Sequence, residues 1–182
     1  MPNKMKPLLT IAIPTYNRSK KLSSLFHNFL HYVDTQFNES VEIIIFDNSD
    51  TKESEINKIT LKGSGIKYFK NSENVGFALN VINCFKKAKG DYLWIISDDD
   101  NIFLDEVPNL ILKLKSFSNN DYSCIMLPFI NSDGLGRKYI SNDHQSWNIK
   151  QVSSIDELLR NNNQLPFVLF SSAILSMKKF NS

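Results

Sequence analysis

The chain has little of what marks several large functional classes. Only two cysteines, Cys84 and Cys124, stand among 182 residues, with no CxxC pair and no His/Cys cluster. That argues against a disulfide framework and against a zinc site, and fits a reduced, cytoplasmic setting. Neither sign of charge is in excess: 21 Lys and Arg against 19 Asp and Glu leave +2, too weak a field to gather nucleic acid or an anionic membrane. Long apolar runs are also missing. The longest, Val41 to Phe46, Tyr92 to Ile96 and Leu165 to Phe170, fall far short of the roughly 20 residues a membrane span requires. Pro14 and polar residues break the apolar stretch behind the amino-terminal lysines, so no secretory signal is expected.

What is there suits a folded domain. Apolar residues make up 42% of the chain and thirteen are Phe, more than a chain too polar to offset its ordering entropy would carry. At this length one hydrophobic core is the expectation.

Strand and helix patterns alternate. Leu8 to Ile13 is a short β-branched run ended by Pro14, a buried strand. From Ser19, placed as N-cap, Leu22, Leu25, Phe26, Phe29, Leu30 and Val33 recur at helical spacing. Val41 to Phe46 reads as a strand covered on both faces, Lys52 to Ile59 as a short helix, and Ile66 to Phe69 as a strand. After Gly76 a helix carries Phe77, Val81, Ile82, Phe85 and Ala88 on one face, with Gly90 as its stop. Tyr92 to Ile96 is a further strand, Val107 to Leu114 a helix and Cys124 to Phe129 a strand. Beyond them lie a turn at Asn131 to Gly134, a loop-rich stretch to Lys150, a capped helix at Ser154 and Glu157, and a late strand at Leu165 to Phe170. The alternation predicts an α/β fold, Rossmann-like, with a mostly parallel sheet flanked by helices. Such sheets bind ligands at the carboxyl ends of their strands, where three polar loops fall: Pro14-Thr15-Tyr16-Asn17, Asp47-Asn48-Ser49-Asp50 and Ser97-Asp98-Asp99-Asp100.

Each loop has a chemical and a plain reading. Two carboxylates about 4 Å apart repel by about 4 kcal/mol at an effective dielectric near 20, and a hard divalent cation such as Mg²⁺ or Mn²⁺ would relieve that for the acidic triplet. Alternatively, Asp98 to Asn101 is a solvated loop ahead of the next helix. Asp47 accepts from a base or ribose, or closes an Asx-turn. Thr15, Tyr16 and Asn17 offer hydroxyl, ring and amide groups, or form an ordinary loop. Gly76 reads first as a turn residue.

The segments Ile11-Ala12-Ile13-Pro14-Thr15-Tyr16-Asn17-Arg18, Glu42 to Ser49, Asn74 to Asn80 and Gly90 to Asp100, in this order and spacing, resemble the family 2 glycosyltransferases of GT-A fold. The resemblance covers roughly residues 8 to 130. It implies a nucleotide-diphosphate-sugar donor, with Asp47 reading the base and Pro14, Thr15, Tyr16 and Asn17 cradling the nucleotide. Asn48, Asn74, Gly76, Asn80, Asp98 and Asp99 complete the donor set, and Asp99 and Asp100 hold a Mn or Mg ion on the diphosphate. By the same resemblance the sugar passes to a hydroxyl acceptor with inversion, in assembly of a surface or lipid-linked glycan at the inner face of the membrane. The domain expected is single, residues 1–182, with a donor part over 8–130 and a partial acceptor part over 131–182, truncated at its C-terminus.

Two positions depart from the family pattern. Ser97 takes the place of the first aspartate of the acidic motif, and Leu79 stands where an arginine is common just before Asn80, so the diphosphate charge is met by Lys70, Lys20 or Arg18 instead, or is met less well. No residue is nominated as the catalytic base, which is expected beyond Ser182. The competing readings are a non-catalytic nucleotide-sugar-binding domain and a Mg²⁺-dependent phosphatase-like α/β protein.

Overall fold

The computed structural model describes residues 6–117, 124–127, 130–132, 138–140, 149–150 and 173–177. The expectations placed on Ser154 and Glu157 and on Leu165 to Phe170 lie outside them. β-branched and apolar residues dominate the first two strands, β1 (Leu9–Thr15) and β2 (Val41–Asp47), which run parallel from Leu9 opposite Val41 to Thr15 opposite Asp47. Strand β3 (Lys67–Lys70) pairs parallel with β2, and β4 (Tyr92–Ile95) parallel with β1. The chain expected to be α/β is so, with the parallel order β3-β2-β1-β4 extended by three antiparallel strands, β9 (Ala173–Ser176), β5 (Cys124–Met126) and β8 (Ile149–Lys150). A separate hairpin joins β6 (Ile130–Ser132) to β7 (Lys138–Ile140). Asn131 and Ser132 therefore stand in a strand, although their residue types predict a turn, because pairing with residues 138–140 overrides their turn propensity.

Pro14 lies within a central strand, where a missing N–H normally breaks the ladder. Here it breaks nothing. Ala12 accepts the Ile96 N–H on the β4 side, and Pro14, two residues on, faces the same side beyond the last β1–β4 pair; on the β2 side Thr15 C=O accepts the Asn48 N–H.

Two cores result, one on each face of the sheet. On one face Ile11, Ile13, Ile43, Ile45 and Trp94 meet the long helical segment made of α1 (Ser19–Leu25), a π turn (Phe26–Leu30) and α2 (His31–Gln36), together with α5 (Val107–Ser116). The stripe Leu22, Leu25, Phe26, Phe29, Leu30 and Val33 is buried as its spacing predicts, each side chain contributing about 1.5–3 kcal/mol. Ser19, expected as N-cap, is instead the first helical residue: Arg18 precedes it in non-helical geometry with no side-chain cap, and the Ser19 N–H is capped across the fold by Glu53 Oε2. On the other face Ala12, Ile44, Phe46, Leu93 and Ile95 pack against α4 (Gly76–Lys87). That helix buries Asn80, Val81 and Cys84 and leaves Phe77 and Ile82 largely exposed. Asn80 Nδ2 donates to Phe46 C=O, so Phe77, one turn earlier, stands beyond the strand ends. Burial pushes the Cys84 thiol up to about 12, which makes it an inert packing group. No helix among the described residues is long and apolar enough to cross a membrane.

At the opposite end of the strands Glu42, nearly buried, accepts from Thr10 Oγ1 (2.7 Å), Lys67 Nζ (2.6 Å) and Lys89 N (2.6 Å). Burial alone would push the Glu42 carboxyl up, but these donors together hold it below its ordinary value of 4.5. A depressed carboxyl stabilises the fold above that value and loses its contribution as pH falls through the lower, folded one. Glu42→Gln is therefore expected to cost about 1–3 kcal/mol near neutrality, the scale of hydrogen bonds to a charged group. The gap from the parent should close below about pH 4.5. Thermal melts of both proteins across that range check this; a gap independent of pH would contradict it.

Candidate functional site

The strand register assembles the site. Thr15 ends β1 directly beside Asp47, the last residue of β2, and on its other side Thr15 Oγ1 donates to Asp98 Oδ2 at 2.7 Å. The three polar loops thus meet at one edge, with Thr15 between two carboxylates.

The β1 and β2 loops are tied by a reciprocal set of bonds. Asn17 adopts φ 50°, a left-handed conformation Asn tolerates better than most residues. Its N–H donates to Ser49 Oγ and its Oδ1 accepts the Asp50 N–H. Asp50 caps α3 (Thr51–Thr60) by accepting the Glu53 N–H, while the Glu53 carboxylate reaches the Ser19 N–H and is held below its ordinary range by Ser19. Asp50 and Glu53 have the spacing of a capping box, a local signal that could have placed the start of α3; here the glutamate caps the neighbouring helix instead of its own.

Asp47 is wholly buried. Its Oδ1 accepts the Ser49 N–H (2.6 Å), closing an Asx-turn, and its Oδ2 accepts from Asn57 Nδ2 (2.7 Å) and from the Tyr68 hydroxyl. Burial, then the bond to Asp47, raises the Tyr68 phenol well above its usual value. Asn48 and Asn80 are buried as well: Asn71 Nδ2 donates to both of their Oδ1 atoms, at 2.6 and 2.8 Å, and Asn48 Nδ2 reaches Gly76 C=O at 3.2 Å. Asn74 Oδ1 accepts the Gly76 N–H, and Gly76 holds φ 79° with open space where a Cβ would stand, so it serves the turn. These residues form the frame of the edge. Tyr16, half exposed, and Asn17 face outward from it. Neither Asn57, Tyr68 nor Asn71 was a sequence candidate; each takes its place through contacts with residues distant in the chain.

The acidic loop is divided. Asp98 is 3% exposed, and Arg18 Nη1 donates both to its Oδ1 at 3.0 Å and to Asp99 Oδ2 at 3.4 Å. Burial is the largest influence on Asp98 and leaves its carboxyl above the ordinary range although Thr15 and Arg18 both pull it down; Arg18 is held more firmly protonated by its hydrogen bond to Asp98. Asp99 is largely exposed and also accepts from Ser97 Oγ. Asp100 Oδ2 accepts the Ser97 N–H at 2.6 Å. Arg18 thus bridges Asp98 and Asp99, while Asp100 is tied back to the backbone of its own loop. Among the described residues no three His, Cys, Asp or Glu side chains converge as a metal cage. The donor set nonetheless fits a hard divalent ion. It consists of carboxylate oxygens, it already draws in a guanidinium, and Mg²⁺-type sites usually take only one or two carboxylates and fill the rest with phosphate and water. Beside it a cleft of about 140 Å³ lies between the acidic loop and Lys21, Ser24 and Asn28 of the first helical segment, smaller than the roughly 300–1,000 Å³ of a ligand pocket. Leu79, where an arginine is common, is exposed on α4.

Comparison with known proteins bears on the family and the fold. The abequosyltransferase RfbV of Salmonella typhimurium is 31% identical over 173 residues, 93% of this chain and 49% of its own length, so the chain spans about half of that relative. An uncharacterized glycosyltransferase of Rickettsia felis is 28% identical over 117 residues, 63% of this chain and 18% of its own. Among solved structures, S. aureus TarS 1-349 superposes with a TM-score of 0.59 at 17% identity over 95% of this chain and 47% of TarS 1-349. The mannosyltransferase PcManGT from Pyrobaculum calidifontis, in complex with GDP-Man and Mn2+, superposes with a TM-score of 0.55 at 16% identity over 70% and 37%. The fold is that of the GT-A glycosyltransferases. The sequence model described as Glycosyl transferase family 2 matches residues 10–181, and the chain belongs to that family.

Proposed function

We propose that this chain binds a nucleoside-diphosphate sugar at the edge where β1, β2 and β4 end and transfers its sugar, with inversion, to a hydroxyl acceptor in surface-glycan assembly. The observation that carries this is the position of Thr15, which joins the end of β2 at Asp47 to the acidic loop at Asp98. Support comes from the relative named as an abequosyltransferase and from TarS, solved with UDP-GlcNAc. In this reading the buried Asp47, Asn48, Asn80 and Asp98 hold the loops, while Tyr16, Asn17 and Asp99 meet the donor. Tyr16 offers a ring on which a base stacks. Asp99 and Asp100 would hold a Mn²⁺ or Mg²⁺ ion, which supplies charge to steady the departing diphosphate. The chain's own part is to present these oxygens in a fixed loop, pinned by Ser97 N–H to Asp100 and by Thr15 to Asp98. The acceptor proposed is a growing, lipid-linked glycan reached from the cytoplasm.

Calorimetry with UDP, GDP and CDP, each with and without Mn²⁺, followed by a product assay with the corresponding nucleotide sugars, tests the reading. The expected result is Mn²⁺-dependent binding of one nucleotide in clear preference, with release of that nucleotide from its sugar conjugate. Binding without turnover would leave a binding module; failure to bind any of them would sink the proposal.

A further inference from the structure

We propose that Arg18 is the cation of the donor site before the donor arrives, and that entry of the metal moves its guanidinium from Asp99 onto the diphosphate. The proposal rests on the donor-binding reading and gives Arg18 a defined part in it.

The geometry is asymmetric in a way that permits such an exchange. One nitrogen, Arg18 Nη1, serves both carboxylates, nearer to Asp98 (3.0 Å) than to Asp99 (3.4 Å). Asp98 is buried and fastened to Thr15, so its carboxylate stays where it is. Arg18 reaches in from solvent with about half of its side chain exposed. Its backbone is fixed on either side, by the Asn17 N–H to Ser49 and the Ser19 N–H to Glu53, which leaves the side chain as the movable part.

Two other cations are placed less well. Lys70 Nζ donates to Asn71 C=O at 2.7 Å, away from the acidic loop, and Lys21 lines the cleft on its helix side. A divalent ion on Asp99 and a guanidinium on the same oxygen repel each other, so one must yield. A guanidinium that yields while still tethered near Asp98 lies within reach of phosphate oxygens bound to that ion, and its planar fork suits them.

The consequence is a pair of effects with opposite sign. Removing the charge of Arg18 should help the metal bind alone and hinder the nucleotide. With Arg18→Gln, Mn²⁺ titrated alone and followed by electron paramagnetic resonance should bind about tenfold tighter than to the parent, within the range of ordinary coupling between sites. The preferred nucleoside diphosphate, titrated in saturating Mn²⁺, should bind about tenfold weaker. Arg18→Lys, which keeps the charge and loses the fork, should leave Mn²⁺ affinity close to that of the parent while weakening the nucleotide.

A residue that merely stabilised the loop would weaken both ligands on substitution, and melting curves of both variants register any loss of fold. Unchanged or weaker Mn²⁺ binding by folded Arg18→Gln, or unchanged nucleotide binding, overturns the role of Arg18 and leaves the donor reading intact. Failure of the parent itself to bind any nucleoside diphosphate with Mn²⁺ refutes the donor reading, and the Arg18 proposal with it.

Discussion

Asp99→Asn is expected to lower Mn²⁺-dependent affinity for the donor nucleotide about 100-fold, or about 2.7 kcal/mol, and to leave the fold standing. The two halves of that expectation have separate causes. Asp99 is 42% exposed, and its partners are Arg18 at 3.4 Å and the Ser97 hydroxyl. An exposed pair of this kind contributes about 0–1 kcal/mol to stability, so the melting temperature should move little. Its role toward the metal is another matter: an amide offers a neutral oxygen where a hard cation is best held by a charged one. Chelating the metal from the parent protein should bring its nucleotide affinity down to the level of the variant, while the variant itself should respond little. Calorimetry on both proteins, with Mn²⁺ and with chelator, checks the set. Retention of full Mn²⁺-dependent affinity by Asp99→Asn would remove this carboxylate from the site.

Gly90→Ala is the substitution expected to damage the fold most. A Cβ at this position would lie 2.5 Å from Thr10 N, 2.7 Å from Tyr92 O and 2.8 Å from Leu9 C. All three are backbone atoms of β1 and β4, so no side chain can swing aside. The sequence marks Gly90 as a helix stop, yet among the described residues the positive-φ glycines are Gly63 and Gly76. What Gly90 supplies is closeness: its N–H donates to Thr10 Oγ1 at 2.8 Å, and Lys89 N–H meets Glu42 beside it. Separating these strands should cost about 3 kcal/mol or more, about 10 °C in melting temperature for a chain of this size. Gly63→Ala is the matched comparison. Nothing lies within 4 Å of a Cβ placed there, but φ is +84°, and a strained backbone alone should cost about 1 kcal/mol. Equal losses in the two variants would show that close packing at Gly90 is not the cause.

The elements up to α5 are legible in the sequence because each announces itself within a few residues. The run of β2, apolar from Val41 to Phe46 apart from Glu42, is covered on both faces, as such a run requires, and the spacing of Leu22, Leu25, Phe29 and Val33 alone predicts the buried side of the first helical segment. Loops that follow parallel strands must lie at one edge, so the meeting of Thr15, Asp47 and Asp98 is also foreseeable from order. Tertiary structure decided what those residues do there. It closed Asp47 against Asn57 and Tyr68, ten and twenty-one positions away, and brought Arg18 onto Asp98 across eighty. It also turned the Asp50 and Glu53 pair into a link between two helices and placed β9 between β4 and β5. Periodicity records which side of a segment is apolar, and that is a local property. Which carboxylate is left facing solvent depends on partners supplied by other segments, and only the packed sheet brings those within hydrogen-bonding distance.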